Sequence, residues 1–348
     1  MSDVKLPTKY ISWLTLNRGC QLRCDWCYAK DSGFNTKMSD EIFEQSITLL
    51  RGVNAREVCL IGGEPTIDPR FIEMVRRLKE EGFFVSVVTN GIKFADKRFL
   101  ADAVDAGLKN IVLSLKSADR LGYIKNTHRD VFDDVMLAIK NLSELDSTRA
   151  VHHNLSVTLC GDLMQDLDKL LKTIVMSGIK RVTFDTERPI VDGGSIEFSG
   201  VSPQVMANFL AENYEKVDKL RDSGVEYTVY ITHPHCLFPG DYIQKLEQNG
   251  RLASGCQIQR GNGIIIDERG ELLPCNHFCK SSFGSLSDCQ TAEDYVSWRK
   301  TESVIRFYKR VSDYPTESCS KCPQWVKCGA GCRINWLKFG EKEMIKSS

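Results

Sequence analysis

Between Tyr10 and Ile231 the chain alternates short apolar runs with longer amphipathic stretches, and this rhythm restricts the fold more than any other feature. The runs are Tyr10 to Leu16, Glu57 to Ile61, Phe84 to Thr89, Asn110 to Leu115, Asn154 to Leu159 and Arg181 to Phe184, all of strand length. Between them apolar residues return every three or four positions. Phe71, Met74, Val75 and Leu78 do so, as do Phe132, Val135, Met136, Ile139 and Leu142, which describes helices with one buried face. Strand and helix in alternation build an α/β fold, a parallel sheet covered by helices. In such sheets the chemistry collects at the carboxyl ends of the strands, where loops vary without disturbing the core.

The rhythm breaks at residues 232–255, where Pro234, Pro239, Gly240 and Gly250 interrupt any long element. The expected division is therefore a barrel-like domain at 1–231, a linker at 232–255 and a second, small domain at 256–348. The second domain is rich in cysteine: Cys256, Cys275, Cys279, Cys289, Cys319, Cys322, Cys328 and Cys332 all fall within it.

Three more cysteines, Cys20, Cys24 and Cys27, follow the first strand with Cys-x3-Cys-x2-Cys spacing. Three thiolates leave one iron of a cubane cluster without a protein ligand, and an open iron binds and reduces a small molecule. The same three residues also suit a zinc site with a fourth ligand elsewhere.

The run Cys20-Gln21-Leu22-Arg23-Cys24-Asp25-Trp26-Cys27-Tyr28 resembles the signature of the radical S-adenosylmethionine (radical SAM) superfamily. The resemblance implies a partial (β/α)6 TIM-like barrel and a 4Fe-4S cluster whose open iron chelates S-adenosyl-L-methionine. It also implies 5'-deoxyadenosyl radical chemistry. Gly62-Gly63-Glu64-Pro65, one β/α unit later, resembles the family element that holds the amino group of SAM. Glycines allow close backbone approach, and a carboxylate at a strand end pairs with an ammonium. By the same resemblance Tyr28 packs near the adenine, and Asn90, Ser114 and Asn154 meet the ribose or carboxylate. Lys116 stands where many relatives carry an acidic residue.

Cys256, then Gly270 to Cys275, then Cys319-x2-Cys322-x5-Cys328-x3-Cys332 resembles the SPASM extension of many radical SAM enzymes. That resemblance implies one or two auxiliary 4Fe-4S clusters. Cys256, Cys275 and Cys332 would serve the first, and Cys319, Cys322 and Cys328 the second. Six of seven family cysteines are matched, and none follows Cys332. A shorter twitch-type arrangement would instead group Cys256, Cys275, Cys319 and Cys322. Cys279 and Cys289 stand near enough in sequence to complete a cluster, whereas Cys59 and Cys160 read as small buried residues. Cys236, in Thr232-His233-Pro234-His235-Cys236, is a candidate hydrogen-atom donor to a substrate radical, with packing and cluster ligation as alternatives. Glu187 and Arg188, after the sixth strand, are candidates for binding substrate or SAM.

Composition removes other partners. Lysine plus arginine equals aspartate plus glutamate at 46 each, so no global field favours nucleic acid or an anionic membrane. No apolar run reaches bilayer length and the first residues are too polar for a signal peptide, which points to the cytoplasm. Fourteen cysteines in metal-ligand spacings fit a reducing compartment better than disulfides do.

The leading expectation is an oxidative modification, such as a crosslink, of a ribosomally synthesised peptide. A flavodoxin- or ferredoxin-like donor would supply electrons, and with nineteen residues ahead of Cys20 the peptide would need a separate recognition protein or direct capture by the barrel mouth. Relatives that mature sulfatases carry an acid after the cysteine equivalent to Cys275, whereas Asn276 and His277 follow it here, and an amide is no base. A sulfatase maturase, a small-molecule radical SAM dehydrogenase and a non-catalytic iron-sulfur or zinc protein remain the alternatives.

Overall fold

All six apolar runs become neighbouring parallel strands in a computed structural model of the chain, which describes residues 7, 9–29, 36–145, 150–192, 194–279 and 281–345. They are β1 (Ile11–Thr15), β2 (Glu57–Ile61), β3 (Phe84–Thr89), β4 (Leu108–Leu115), β5 (His152–Leu159) and β6 (Arg181–Thr186). A small hairpin, β7 (Ile190–Asp192) and β8 (Ser195–Glu197), follows. Then come β9 (Glu226–Ile231), β10 (Leu252–Ser254), β11 (Gly263–Ile266), β12 (Glu271–Leu273) and β13 (Gly284–Ser285). Apart from the hairpin they form one sheet in the order β10-β9-β6-β5-β4-β3-β2-β1-β11-β12-β13. The architecture is α/β: a partial (β/α)6 TIM-like barrel carrying a cysteine-rich C-terminal region.

The helices form where the sequence places their apolar faces. In helix Phe71–Glu80 the buried residues are Phe71, Met74, Val75 and Leu78, the four that recur with helical period. Helix Phe132–Ser143 buries Val135, Ala138, Ile139, Asn141 and Leu142. Asn141 is tolerated on that face because its Nδ2 donates to the carbonyls of Phe94 and Ala95, each at 2.9 Å. Starts are set by short polar side chains. Ser39 accepts from the Ile42 N–H at 3.2 Å, and Asp96 accepts from the Arg98 N–H at 2.9 Å.

The sheet extends beyond the six expected strands at both edges. β9 pairs with β6, and β10 pairs with β9 through Leu252↔Val229. The segment 232–255, expected to be a linker, thus holds helix Tyr242–Gln248 and an edge strand. At the other edge β11 lies parallel to β1, with Ile11 opposite Gly263 and Leu14 opposite Ile266. Gly263-Ile264-Ile265-Ile266 is a short unbroken apolar run, the pattern of a parallel strand buried on both faces. The cysteine-rich region therefore grows out of the barrel sheet itself.

Candidate active site

β1 ends at Thr15, and the chain then runs through Asn17, Arg18 and Gly19 into the cysteine loop. This loop is locked to the loop after β2. The Gly63 N–H donates to Asn17 O at 2.8 Å, and the Glu64 N–H to Gly19 O at 2.7 Å. A Cβ on Gly62 would stand 2.5 Å from Asn17 O, and one on Gly63 would stand 2.2 Å from Gly19 O. The two glycines are needed for that backbone contact, so their first task is to seat the cysteine loop rather than a ligand.

Glu64 is buried, and its carboxylate gathers the ends of β2 and β3. Oε1 accepts from the Thr66 N–H (3.1 Å), Thr66 Oγ1 (2.5 Å) and Thr89 Oγ1 (2.7 Å), and Oε2 accepts from the Asn90 N–H (2.6 Å). Burial pushes its pKa up while these donors oppose the rise. Asn90 continues the chain of contacts, its Nδ2 reaching Gln21 Oε1 at 3.1 Å and Cys20 Sγ at 3.8 Å.

The thiols of the first group sit among N–H donors. The Leu22 N–H points at Cys20 Sγ (3.3 Å) and the Ala29 N–H at Cys27 Sγ (3.4 Å). Burial raises the pKa of Cys20 to about 11 and that of Cys24 to about 12. Each is pushed further by neighbouring thiols, and Lys116 opposes the rise at Cys24. Protons are hard to remove from such a group unless a metal takes their place, and N–H groups aimed at sulfur favour the thiolate a metal needs. Among the described residues, no three His, Cys, Asp or Glu side chains are disposed to hold a metal ion. The fit of a 4Fe-4S cluster therefore rests on donor chemistry, and three mutually repelling thiols beside N–H donors suit it.

A cavity of about 500 Å³ opens over the carboxyl ends of the strands and joins the two cysteine-bearing regions. Cys20, Cys24 and Cys27 line it, and so do Cys256, Cys275 and Cys332. Tyr28, Gly62, Gly63, Glu64, Asn90 and Ser114 face it as well. Cys275 is pushed up to about 12 by burial, then by Cys332 and Cys256, and Arg188 opposes that rise. Arg188 itself is fixed by Asp185, with Nη2 at 2.7 and 2.8 Å from the two carboxylate oxygens. Burial acts to discharge it, but Asp185 first and then Cys332, Tyr230 and Cys275 hold it cationic.

Tyr28 stacks obliquely on His277, ring centroids 5.5 Å apart, and its carbonyl accepts from Cys279 Sγ at 2.9 Å. Burial, aided by Arg188, lowers the His277 pKa to about 3, so its ring is neutral. The Pro189 carbonyl, 3.2 Å from Nδ1, can only accept, which places the proton on Nδ1 and leaves Nε2 an acceptor. Glu187 also lines the cavity, and its Oε1 accepts from Ser199 Oγ at 2.7 Å.

Two expected site residues lie outside this cavity. Asn154 is at the amino-terminal end of β5, donating to Leu155 O at 3.1 Å and lining a separate cavity of about 460 Å³ with His152, His153 and Arg181. Ser156 and Thr158, two and four places further along the same face of β5, line the cysteine cavity instead. Sequence reasoning missed them, although the period of two points to both. Cys236 is likewise absent from the cavity lining. It is exposed on the single turn His235–Leu237, beside Cys328, away from where a substrate radical would form. Cys319, Cys322 and Cys328 also lie off the cavity wall, so Cys328 and Cys332 of one run face different surroundings.

Comparison with known proteins places these features in context. Residues 14–174 match the radical SAM superfamily. GTP 3',8-cyclase of Chlorobaculum tepidum is 33% identical over 132 residues, which cover 37% of this chain and 39% of that protein, so the match spans well under half of either. A tungsten-containing aldehyde ferredoxin oxidoreductase cofactor-modifying protein of Pyrococcus furiosus is 22% identical over 90% of this chain and 87% of its own length. Among solved structures, Streptococcus suis SuiB bound to S-adenosylmethionine superposes with a TM-score of 0.71 at 15% identity, covering 99% of this chain and 77% of SuiB. The enzyme anSMEcpe, solved with bound AdoMet and the Cp18Cys peptide, superposes with a TM-score of 0.69 at 19% identity, covering 98% and 91%. No helix among the described residues is long and apolar enough to cross a membrane.

Proposed function

The chain belongs to the radical SAM superfamily, as an enzyme with the fold of its SPASM-type members, and we propose that it oxidatively modifies a peptide substrate. The observation that carries this reading is that one cavity is lined both by Cys20, Cys24 and Cys27 and by Cys256, Cys275 and Cys332. When bound, a 4Fe-4S cluster and SAM would supply a 5'-deoxyadenosyl radical able to remove an unactivated hydrogen atom. The first three cysteines hold that cluster, and Asn90 and Glu64 fix the loop that presents it. Ser114, Ser156 and Thr158 supply hydroxyls at the carboxyl ends of β4 and β5, where the polar groups of SAM lie. Tyr28 packs against its apolar parts.

Cys256, Cys275 and Cys332, which line the same cavity, would hold an auxiliary cluster, and such a cluster would supply an electron acceptor there. Arg188 places a fixed positive charge beside it, favouring arrival of the electron. The neutral His277, with Nε2 unprotonated, accepts a hydrogen bond from the substrate. In this reading residues 1–231 carry the SAM site and 256–348 the auxiliary clusters, and an outside electron donor reduces the first cluster. SuiB solved with its precursor peptide SuiA and anSMEcpe with the Cp18Cys peptide support a peptide in this cavity.

A second reading, a small-molecule substrate, is favoured by the cofactor-modifying protein of Pyrococcus furiosus, whose likeness runs over 90% of this chain. One experiment addresses both. Anaerobically reconstituted protein, reduced in the presence of SAM, should release 5'-deoxyadenosine. The Cys20→Ala, Cys24→Ala, Cys27→Ala variant should release none while keeping its auxiliary iron. Cleavage retained by that variant removes the assigned site. Deuterium transfer into 5'-deoxyadenosine from a labelled peptide, and not from nucleotides, selects the peptide reading.

A further inference from the structure

The cysteine run at 319–332 is divided by the fold. Cys332 faces the cavity, whereas Cys319 and Cys328 lie on two short helical turns, Glu317–Ser320 and Trp325–Cys328, with Cys322 in the link between them, and none of these three lines it. The Cys322 N–H donates to Cys319 O at 3.2 Å, and the Cys328 N–H to Gln324 O at 2.8 Å, so these turns are tightly wound. Three thiols leave a cubane one protein ligand short.

The segment that ends the barrel is clamped to this knuckle. Thr232 O accepts from the Cys332 N–H at 2.8 Å and from Asn335 Nδ2 at 3.1 Å. A Cβ on Gly331 would stand 2.4 Å from Thr232 O, so the two backbones touch. Further along, the His235 N–H donates to Cys328 Sγ at 3.3 Å. The next side chain is Cys236, exposed on the same turn.

We propose that Cys236, supplied from the end of the barrel, is the fourth thiolate of a second auxiliary 4Fe-4S cluster held by Cys319, Cys322 and Cys328. The inference rests on the reading that the C-terminal region holds two clusters, and it replaces the seventh cysteine absent after Cys332. On ligation each thiol gives up its proton and the sulfur binds iron, with no change in redox state. The His235 N–H then serves as a hydrogen bond to a cluster ligand, a contact that tunes potential.

The test counts iron and acid-labile sulfide in anaerobically reconstituted protein and records the electron paramagnetic resonance of the reduced form. About twelve irons per chain are expected with three cubanes. Cys236→Ala should lose between about one and four of them, by conversion to a three-iron form or loss of the cluster, and one signal should change. Cys236→Ser, which offers an oxygen ligand in the same volume, should retain iron with a shifted signal. His235→Ala should match the unaltered protein. Because Cys236 is exposed, its replacement leaves no core cavity, and circular dichroism should show an unchanged fold. Cys328→Ala separates the two ideas. If it loses iron while Cys236→Ala keeps both iron count and signals, the Cys236 assignment is overturned; if neither changes, the second cluster itself falls.

Discussion

Arg18 donates from Nε to Glu268 Oε2 at 2.8 Å across 250 residues of sequence, and both side chains are buried. Arg18 stands two residues before Cys20, and Glu268 lies in the turn between β11 and β12, where Asp267 also approaches the guanidinium at 3.9 Å. The pair pins the first cysteine loop to the cysteine-rich region. Arg18→Ala leaves Glu268 only Thr36 Oγ1 at 3.1 Å and Arg269 at 3.9 Å, and should cost about 3 kcal/mol, the low end for a broken buried pair, read as a lower urea midpoint.

Gly63→Ala tests the seating of the cysteine loop. Its Cβ would enter a space already held by Gly19 O and Arg18 O at 2.2 and 2.5 Å, and both are backbone atoms that cannot rotate away. A loss of about 1–3 kcal/mol is expected. Iron should be lost from the SAM-binding cluster before the auxiliary ones, since the displaced loop carries Cys20.

Ser156→Ala and Asn154→Ala separate the two cavities. With SAM seated as proposed, removing the Ser156 hydroxyl should raise the KM for SAM roughly 3- to 10-fold, the worth of one hydrogen bond. Asn154→Ala should leave that KM unchanged. Isotope-labelled SAM turnover to 5'-deoxyadenosine measures both.

Arg188→Gln removes a cation from beside Cys275 and Cys332 while keeping a side chain that reaches Asp185. The first auxiliary cluster should become harder to reduce, its midpoint potential falling on the order of 60 mV, equivalent to ~1.4 kcal/mol. Spectroelectrochemical titration reads the shift, and a potential unmoved by the substitution contradicts the placement of that cluster.

His153 gives a pH dependence. Burial, reinforced by Arg181 and His152, lowers its pKa below the ordinary histidine value, and its Nδ1 has no hydrogen-bond partner. A depressed pKa means the folded state binds the proton less well than the unfolded chain does. Its stability contribution is therefore full above the unfolded pKa of about 6.5 and declines as pH falls toward the lowered folded value. Urea midpoints at pH 7.5 and 5 should differ less in His153→Gln than in the unaltered protein.

The six barrel strands and their helices were legible because each carries its own period, and Phe71, Met74, Val75 and Leu78 are buried as that period requires. The three cysteines at the end of β1 were legible by spacing alone. What sequence could not supply was pairing at a distance. β11 is four residues long, and only the exposed edge of β1 identifies it as a barrel neighbour. Asn154 and Ser156 face the same way along β5, and the strand's register decides which end of the barrel each one meets. Gly62 and Gly63 teach a similar lesson: small residues announce close approach but not what approaches, here the backbone of Asn17 and Gly19.

The parallel pairing of β1 with β11 also orders events during synthesis. A chain emerging from the ribosome can pair β1 with β2 early, but the other edge of β1 waits until Ile266 has been made. Contacts so distant in sequence form slowly, and an unpaired edge invites the wrong partner in the interval. Until β11 docks and Glu268 reaches Arg18, the loop bearing Cys20, Cys24 and Cys27 has no wall opposite it. The sheet thus leaves a period in which iron and sulfide reach those thiols from open solvent, and it ends that period by completing itself.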